Sequence, residues 1–250
     1  MRKEKDGLGE RLLPDEAYYG IQTLRAMENF AISDNTFAHY PNIVRAMAEI
    51  KKACALTNKE IGALPADIAD AIATACDEVL AGRYPDQFPV NVFRGCGTSI
   101  NMNVNEVLGN RANELLTGHK GADRVHPNTH VNMCQSSNDV FPTAASLVLY
   151  RETGGLLDAL ATLEAAVRER MEALGPVVRI GRTCLQDAVP LTFGQSLSGY
   201  ASLLERTGTQ IAAFRKRSAT GILGATAVGT GIGVQPGFMQ RIYRNLSSIT

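Results

Sequence analysis

The sequence predicts an all-α fold on three observations. Apolar residues recur at helical spacing in several successive segments, alternating strand patterns are almost absent, and two helix-compatible stretches extend over about 30 residues each. The best short strand candidate is VVRI at residues 177–180. Helices of that length are typical of a bundle and not of a small globule.

Helices are predicted in order along the chain, at about 41–64, 65–82, 101–116, 141–174 and 190–219. Pro65 suits the first turn of the second helix, and Gly82 suits its C-terminal stop. A polar loop precedes the two long stretches. We therefore place a domain boundary near residue 140, between an N-terminal helical domain (1–140) and a partial central helical-bundle domain (141–250).

Composition excludes several function classes. With 250 residues, of which 45% are hydrophobic, the chain can bury a substantial core, which argues against disorder. The 25 basic and 25 acidic side chains balance, so no net field draws the chain to nucleic acid or to anionic lipid. The charged N-terminus lacks the apolar stretch of a signal peptide, and no run reaches the roughly 20 apolar residues of a membrane span. We expect a soluble, cytoplasmic protein with neither nucleic-acid nor membrane partners.

The cysteines indicate neither disulfides nor a metal site. Their number, five, is odd, and none is spaced with a second Cys or a His as a zinc site requires. Cys54 and Cys76 fall on apolar helix faces, where a free thiol acts as a small hydrophobe. The sequence thus predicts reduced thiols, no metal and no cofactor.

Three segments share one design, a cluster of neutral hydroxyl and amide side chains just before a predicted helix. They are GTSINMNVNE (97–106), QSSNDVFPTA (135–144) and GRTCLQDAVP (181–190). A helix N-terminus offers unpaired N–H groups and about half a positive charge, so hydroxyls grouped there can bind a carboxylate without net basic charge. For any single segment, ordinary N-capping is the alternative. Three such segments favour a site for a small dianion, with the candidate residues Thr98, Ser99, Asn101, Ser136, Ser137, Asn138, Thr183 and Cys184.

Five ordered blocks resemble those of aspartases and class II fumarases. They are AYYGIQTLRAMENF (17–30), GTSINMNVNEVL (97–108), HPNTHVNMCQSSNDVFPTA (126–144), GRTCLQDAVPLTFGQ (181–195) and GATAVGTG (224–231). The chain therefore resembles the aspartase/fumarase superfamily over nearly its whole length. The resemblance implies a homotetramer that acts on a small dicarboxylate, adding to or eliminating across fumarate, with each active site assembled from three regions of different subunits.

The resemblance also implies roles for single residues. Thr98, Ser136 and Ser137 would hold the carboxylate beside the carbon that loses its proton. Thr183 would contact the other carboxylate, and Asn138 the leaving amine, so Ser137, Asn138 and Thr183 are the implied catalytic residues. Proton removal beside a carboxylate creates an enediolate, and fixed donors aimed at its oxygens stabilise the added charge.

Small differences within the blocks favour the aspartate ammonia-lyase branch over fumarate hydratase. AYYGIQTLRAMENF and GATAVGTG look like aspartase forms, Cys184 stands where fumarases carry a functional His, and Cys96 stands where they carry Ser. Two alternatives stay open. One is a class II fumarate hydratase, and the other is a non-catalytic helical scaffold whose long helices mediate self-association and whose polar segments are only caps.

Two departures from the superfamily pattern matter. Its third active-site region, a loop of the type GSSxMPxKxNP that carries the basic Ser, has no counterpart here, which we interpret as a C-terminal truncation at Thr250. A positioned base contributes about 10²–10⁴ in rate, so we expect the chain as printed to be inactive. Thr129 in HPNTHVN replaces the Asp of the usual HPND form, so an accessory dicarboxylate site is not expected.

Three further features have ordinary explanations. Cys184 has no His beside it in sequence and is interpreted as a half-buried thiol. His126 and His130 lack acidic partners at ligand spacing and are interpreted as loop-stabilising. The run GTGIG at 229–233 follows a helical pattern instead of a strand, so it predicts a turn between helices and not a dinucleotide site.

Overall fold

A computed structural model describes residues 1–93 and 97–250, and the predicted all-α fold is confirmed, with two small hairpins added to it. Within these residues no helix is both long and apolar enough to cross a bilayer. The elements are β1 (Arg2–Asp6), β2 (Gly9–Leu13), α1 (Ile21–Asn29), α2 (Pro41–Glu60), α3 (Ala66–Leu80), α4 (Thr98–Thr117), α5 (Ser137–Leu174), β3 (Val178–Thr183), β4 (Gln186–Thr192), α6 (Phe193–Ser218) and α7 (Ile242–Ile249).

Contacts divide the chain into two compact units. The first comprises Met1–Val148 and Gly221–Thr250, and the second comprises Leu149–Thr220. Helix α5 begins in the first unit, and its later residues belong to the second. The division into domains 1–140 and 141–250 stays a prediction.

The core of the first unit is built from α2, α3 and α4, with α7 packed against α2. As the periodicity predicts, α2 and α3 bury apolar faces, and Cys54 and Cys76 lie fully buried on them. Each large apolar side chain buried there contributes about 1.5–3 kcal/mol. Leu223 and Phe238 bring the segment that follows α6 into the same core. Fully buried side chains include Met47, Ile50, Ile72, Ile100, Val107, Leu108, Phe238 and Ile242.

Helix α4 is buried along most of its length, yet many of its buried side chains are polar: Asn101, Asn103, Asn105, Glu106, Asn110 and Asn113. Buried amides and carboxylates are costly unless they are hydrogen-bonded. Asn110 donates to the carbonyl of Tyr18 at 2.8 Å and accepts from the N–H of Gly121 at 2.9 Å. Asn113 accepts from the N–H of Arg124 at 2.9 Å. Helix α4 thus holds several loops of the first unit by their backbones.

Glu106 on α4 caps α1. Its carboxylate accepts from the N–H groups of Gly20, Gln22 and Thr23 at 2.8–3.0 Å. The Thr23 hydroxyl adds a fourth donor at 2.6 Å. These are donors at the start of α1, whose preceding residue, Gly20, has no side chain to cap them. Gly20 is required there, because a Cβ would lie 2.7 Å from the Glu106 carboxyl carbon.

The second unit consists of the remainder of α5, the β3–β4 hairpin and α6. In the hairpin Val178 pairs with Thr192, and Thr183 pairs with Gln186. The Thr192 hydroxyl accepts from the N–H of Gln195 at 3.1 Å, and the Gln195 side chain accepts from the N–H of Thr192 at 2.9 Å. This capping box fixes the start of α6. Exposed apolar side chains on the two helices include Leu156, Leu163, Tyr200 and Leu203.

The sequence predicts few strands, and among the described residues the structure has two small hairpins beside the helices. β1 and β2 pair antiparallel and had no sequence signal, whereas the candidate at 177–180 lies largely in β3. Pro190, expected to open the second long helix, lies in β4 opposite Ile180, and α6 begins only at Phe193. A two-stranded ribbon tolerates Pro because half of its backbone N–H groups have no strand to bond. The GTGIG run does form turns between α6 and α7, as predicted.

We expect Glu106→Gln to lower the free energy of unfolding by about 2–3 kcal/mol, because its amide has one oxygen for four donors and turns an NH₂ group toward them. Urea unfolding followed by circular dichroism measures the change. Glu10→Gln, at an exposed carboxylate paired with Lys3, is the matched control and should change it by less than about 0.5 kcal/mol. Equal losses in the two variants would contradict the capping role.

Candidate active site

Helices α4 and α5 begin close together. Gly97, with φ of +92°, directly precedes α4. A Cβ on Gly97 would lie 2.8 Å from the Cβ of Phe141 in α5, so only glycine permits this approach. Two helix N-termini, each with unpaired N–H groups and a partial positive charge, are thereby placed near one another.

Asp139 holds the start of α5 against the glycine-rich segment that follows α6. Its fully buried carboxylate accepts from the N–H of Ser136 at 2.8 Å. It also accepts from the N–H groups of Gly224 and Thr226 at 3.2 and 2.8 Å. Two sequence blocks far apart in the chain, 126–144 and 224–231, thus meet at this carboxylate.

Asn101 joins the first two polar segments. Its Nδ2 donates to Ser137 Oγ at 3.0 Å and to Asn132 Oδ1 at 3.1 Å. Asn101 is buried, whereas Ser137 is partly exposed. Within the described part of the chain the Ser137 hydroxyl receives this bond and donates to no other group. Its own hydrogen is therefore available to a ligand.

The neighbouring predicted residues lie at the same two helix starts. Asn138 is exposed, and its Nδ2 donates to the carbonyl of Ala227 at 2.9 Å, so its Oδ1 is available as an acceptor. Ser136 Oγ accepts from the N–H of Asn138 at 3.2 Å. Thr98 and Ser99 occupy the first turn of α4, exposed and partly exposed respectively. The residues placed at this pair of helix starts are Thr98, Ser99, Asn101, Ser136, Ser137 and Asn138.

Thr183 and Cys184 belong to the second unit, at the turn between β3 and β4. Thr183 pairs with Gln186, so Cys184 and Leu185 form a two-residue turn, with φ of +49° and +64°. The expectation of a half-buried Cys184 is wrong: the thiol is exposed because it sits at the hairpin tip. Substrate contacts of Thr183 and Cys184 stay predictions, and Cys96 lies outside the described residues.

A lysine that the sequence analysis missed lies behind the helix starts. Lys51 on α2 is fully buried, and its Nζ donates to Asn132 Oδ1 at 2.9 Å and to Gln135 Oε1 at 2.8 Å. Burial lowers the pKa of Lys51 to about 7. A sequence signal did exist, since Lys51 falls within the apolar stripe of α2, four residues after Met47 and three before Cys54.

His126 and His130 stabilise the π-helical turn Pro127–Val131 that precedes α5, as predicted. His126 Nδ1 accepts from the N–H groups of Asn128 and Thr129 at 3.2 and 3.1 Å. His130 Nδ1 accepts from the N–H of His126 at 2.9 Å. Burial lowers the pKa of His130, which favours the neutral ring that this bond requires.

A family model described as Lyase matches residues 9–250. The chain belongs to this Lyase family. Its similarity to the aspartase/fumarase superfamily is confirmed, because relatives of both kinds match it over nearly its whole length.

Two curated relatives and one solved structure illustrate the match. Aspartate ammonia-lyase of Bacillus subtilis (strain 168) is 43% identical over 252 residues, which cover 100% of this chain and 52% of the relative. Class II fumarate hydratase of Halobacterium salinarum is 47% identical over 239 residues, which cover 95% of this chain and 50% of the relative. The crystal structure of fumarate lyase:delta crystallin from Brucella melitensis bound to cobalt has a TM-score of 0.90 and 44% identity, covering 99% of this chain and 54% of that one. The Lyase family chain described here thus spans about half the length of the curated relatives it matches.

The burial of Lys51 predicts that the stability of this Lyase family chain depends on pH. Folding lowers the pKa of Lys51 from 10.5 to about 7, so between these values the unfolded chain binds more protons than the folded chain. The free energy of unfolding contributed by this group therefore rises with pH across that window, and the full cost of burial is present below it. We expect the difference in stability, wild type minus Lys51→Met, to rise by about 1 kcal/mol for each pH unit between about pH 7.5 and 10.

Urea unfolding at a series of pH values measures that difference. The ionisable groups that act on Lys51 are Asp139, Cys54 and Cys76, and burial raises the pKa of both thiols, so these stay protonated in the folded chain. Lys52→Met is the control, because Lys52 is partly exposed and paired with a carboxylate. If the stability difference between wild type and Lys51→Met changed with pH no more than the difference for Lys52→Met does, the prediction would be contradicted.

Proposed function

We propose that this chain is part of an aspartate ammonia-lyase, which reversibly eliminates ammonia from L-aspartate to give fumarate. The observation that carries the proposal is the meeting of two helix starts, where Asn101 donates to Ser137 and leaves the Ser137 hydrogen free. Similarity to aspartate ammonia-lyase of Bacillus subtilis over 100% of the chain supports the same function.

The substrate carboxylate beside the carbon that loses its proton is proposed to bind at these helix starts. Thr98, Ser136 and Ser137 would supply hydroxyl donors, and the helix ends would supply N–H groups and partial positive charge. When the proton leaves, this carboxylate becomes an enediolate with a second negative charge. Donors already fixed by the fold stabilise that charge without the reorganisation that water would need.

The leaving amine is proposed to bind at Asn138. An ammonium group only donates hydrogen bonds, so it needs an acceptor. Asn138 meets that need, because its Nδ2 is held by the carbonyl of Ala227 and its Oδ1 is available. Thr183 would contact the other carboxylate, and Ser99 and Cys184 would complete the set of contacts. Asn101, which is buried, would serve substrate binding through the Ser137 hydroxyl.

Self-association into a homotetramer is part of the proposal, because the resemblance assembles each site from different subunits. The exposed apolar side chains on α5 and α6 of the second unit, Leu156, Leu163 and Leu203, support it. Each is about half exposed, at 48, 52 and 53%. Apolar surface of this kind is commonly covered by a partner.

Fumarate hydratase is the second candidate function, favoured by the 47% identity to the Halobacterium salinarum enzyme. Both reactions would pass through the same enediolate and differ in the leaving group, which is water for hydration and ammonia for deamination. A non-catalytic scaffold is the third candidate, and it would self-associate without binding a dicarboxylate. Comparing turnover of L-aspartate with turnover of malate separates these three candidates.

We expect a version extended past Thr250 to the length of its relatives to form fumarate from L-aspartate, and to do so at least 10-fold faster than from malate. The extension is needed because the residues assigned here include no general base, whose loss costs about 10²–10⁴ in rate. Ultraviolet absorbance of fumarate follows both reactions, and the 250-residue chain alone is the control, expected to be silent. Faster turnover of malate would replace the proposal with fumarate hydratase, and no turnover of either substrate would favour the scaffold.

Ser137→Ala in the extended protein is expected to lower kcat by about 10²–10³, the usual effect of removing one donor to a developing oxyanion. Ser247→Ala, at an exposed position of α7 in the same unit, is the matched control and should leave kcat unchanged. Steady-state rates with L-aspartate measure both. Unchanged kcat in Ser137→Ala would remove this hydroxyl from the mechanism.

A further inference from the structure

Lys51 occupies a position where a lysine costs stability. Its side chain has no exposed surface, and its two hydrogen-bond partners, Asn132 and Gln135, are neutral. A methionine of similar length would fill the same space without the cost of desolvating an amine. Packing alone therefore gives no reason for a lysine on this face of α2.

The side chain of Asn132 connects Lys51 to Asn101. Asn132 Oδ1 accepts three hydrogen bonds: from Lys51 Nζ at 2.9 Å, from Asn101 Nδ2 at 3.1 Å and from Asn105 Nδ2 at 3.2 Å. The Asn132 Nδ2 donates to the carbonyl of Gln135 at 3.2 Å, in agreement with this orientation. The two hydrogens of the Asn101 amide are thereby assigned, one to Asn132 and the other to Ser137.

The Lys51 amine helps to determine which group donates in each hydrogen bond between Lys51, Asn132, Asn101 and Ser137. An amide can present either its oxygen or its NH₂ group, and a hydroxyl can donate or accept, so the bond between Asn101 and Ser137 does not fix its own direction. Two groups hold Asn132 in one orientation: the carbonyl of Gln135 accepts from its Nδ2, and Lys51 donates to its Oδ1. A protonated lysine can only donate. Opposite Lys51, Asn132 must therefore present oxygen, and Asn101 must then present its NH₂ group. Ser137 Oγ accepts from that group, and its own hydrogen points elsewhere.

We propose that Lys51 is a positioning residue for dicarboxylate turnover: it sets the direction of the hydrogen bonds that run through Asn132 and Asn101, so that the Ser137 hydroxyl donates to the substrate carboxylate. The inference rests on the proposed function and adds a residue to it. Without Lys51, the bond from Asn132 Nδ2 to the Gln135 carbonyl, at 3.2 Å, is the remaining contact that favours this orientation, so the two amides are freer to rotate and to offer Ser137 an internal acceptor. The Ser137 hydroxyl would then donate to that internal acceptor and no longer to the substrate carboxylate.

Gln135 extends the effect to the loop before α5. Its Oε1 accepts from Lys51, and its Nε2 donates to the carbonyls of Val131 and Met133, each at 3.0 Å. A neutral amine keeps two N–H groups, which suffice for its two acceptors on Asn132 and Gln135. Deprotonation therefore leaves donors for both hydrogen bonds, but only the protonated form, which has no acceptor, enforces their direction.

The test is a double-mutant cycle between Lys51 and Ser137 in the extended protein, with kcat and KM for L-aspartate measured separately. Lys51→Met should lower kcat about 10-fold and leave KM within about twofold, because a misdirected hydroxyl fails mainly where charge develops. Ser137→Ala should lower kcat by about 10²–10³. The double variant should be no slower than Ser137→Ala alone, because Lys51 acts through that hydroxyl.

Two measurements separate positioning from a merely structural role. Lys51→Met should keep the wild-type circular dichroism spectrum and a single cooperative unfolding transition at pH 7, so that its fall in kcat does not come from loss of the fold. Lys52→Met, at the neighbouring lysine that pairs with Asp77, should keep kcat within about twofold. Asn132→Ala breaks the same link at a partly exposed residue and should show the same fall and the same non-additivity with Ser137→Ala. This second cycle decides the question if Lys51→Met does not fold.

Independent, multiplying effects of the Lys51 and Ser137 substitutions in an active enzyme would overturn the role of Lys51 and leave the proposed function standing. An equal fall in Lys52→Met would do the same, because it would show a general dependence on charge along α2. A wild-type protein that turns over neither L-aspartate nor malate would overturn the proposed function, and the role of Lys51 with it.

Discussion

The first unit depends on buried polar groups that are held by hydrogen bonds, and α4 carries more of them than any other described helix. An apolar helix could pack in many rotational settings, because apolar contacts have no direction. A helix with buried amides and a buried carboxylate is restricted to the settings in which these groups meet donors and acceptors. Glu106 meets the start of α1, and Asn110 and Asn113 meet loops on either side. The same requirement places the loops, since a loop that moved would leave a buried group unpaired.

The candidate site extends this requirement to the ends of helices. Asn101 is another member of the polar row on α4, and its partner is Ser137 at the start of α5. The close approach of the two starts needs Gly97, whose missing side chain makes room for Phe141. Asp139 then ties the start of α5 to the glycine-rich segment. Interactions that stabilise the fold thus also collect neutral donors near two positive helix ends, which is the chemistry that a carboxylate requires.

Lys51 shows that a hydrogen-bond network needs a fixed direction as well as partners. Amides and hydroxyls can satisfy one another in more than one arrangement, and these arrangements differ in which group faces a ligand. A lysine in such a network restricts it to fewer arrangements, because a protonated amine only donates, and the cost is the desolvation of that amine. The lowered pKa of Lys51 reflects this cost, and the hydrogen bonds to Asn132 and Gln135 are what the fold gains from it.

The sequence by itself determined the five longest helices and the polar residues at the starts of α4 and α5. Helical periodicity and capping are local, so α2, α3 and the long helices were predictable within a few residues, and Ser137 and Thr98 stood out ahead of helices. Tertiary structure decided the remainder. The β1–β2 pairing, the place of Pro190 in a strand and the exposure of Cys184 depend on which segment lies opposite, which periodicity does not encode. The meeting of Asn101 with Ser137 and the burial of Lys51 depend on helices distant in sequence, because a hydrogen bond exists only where packing brings both of its groups together.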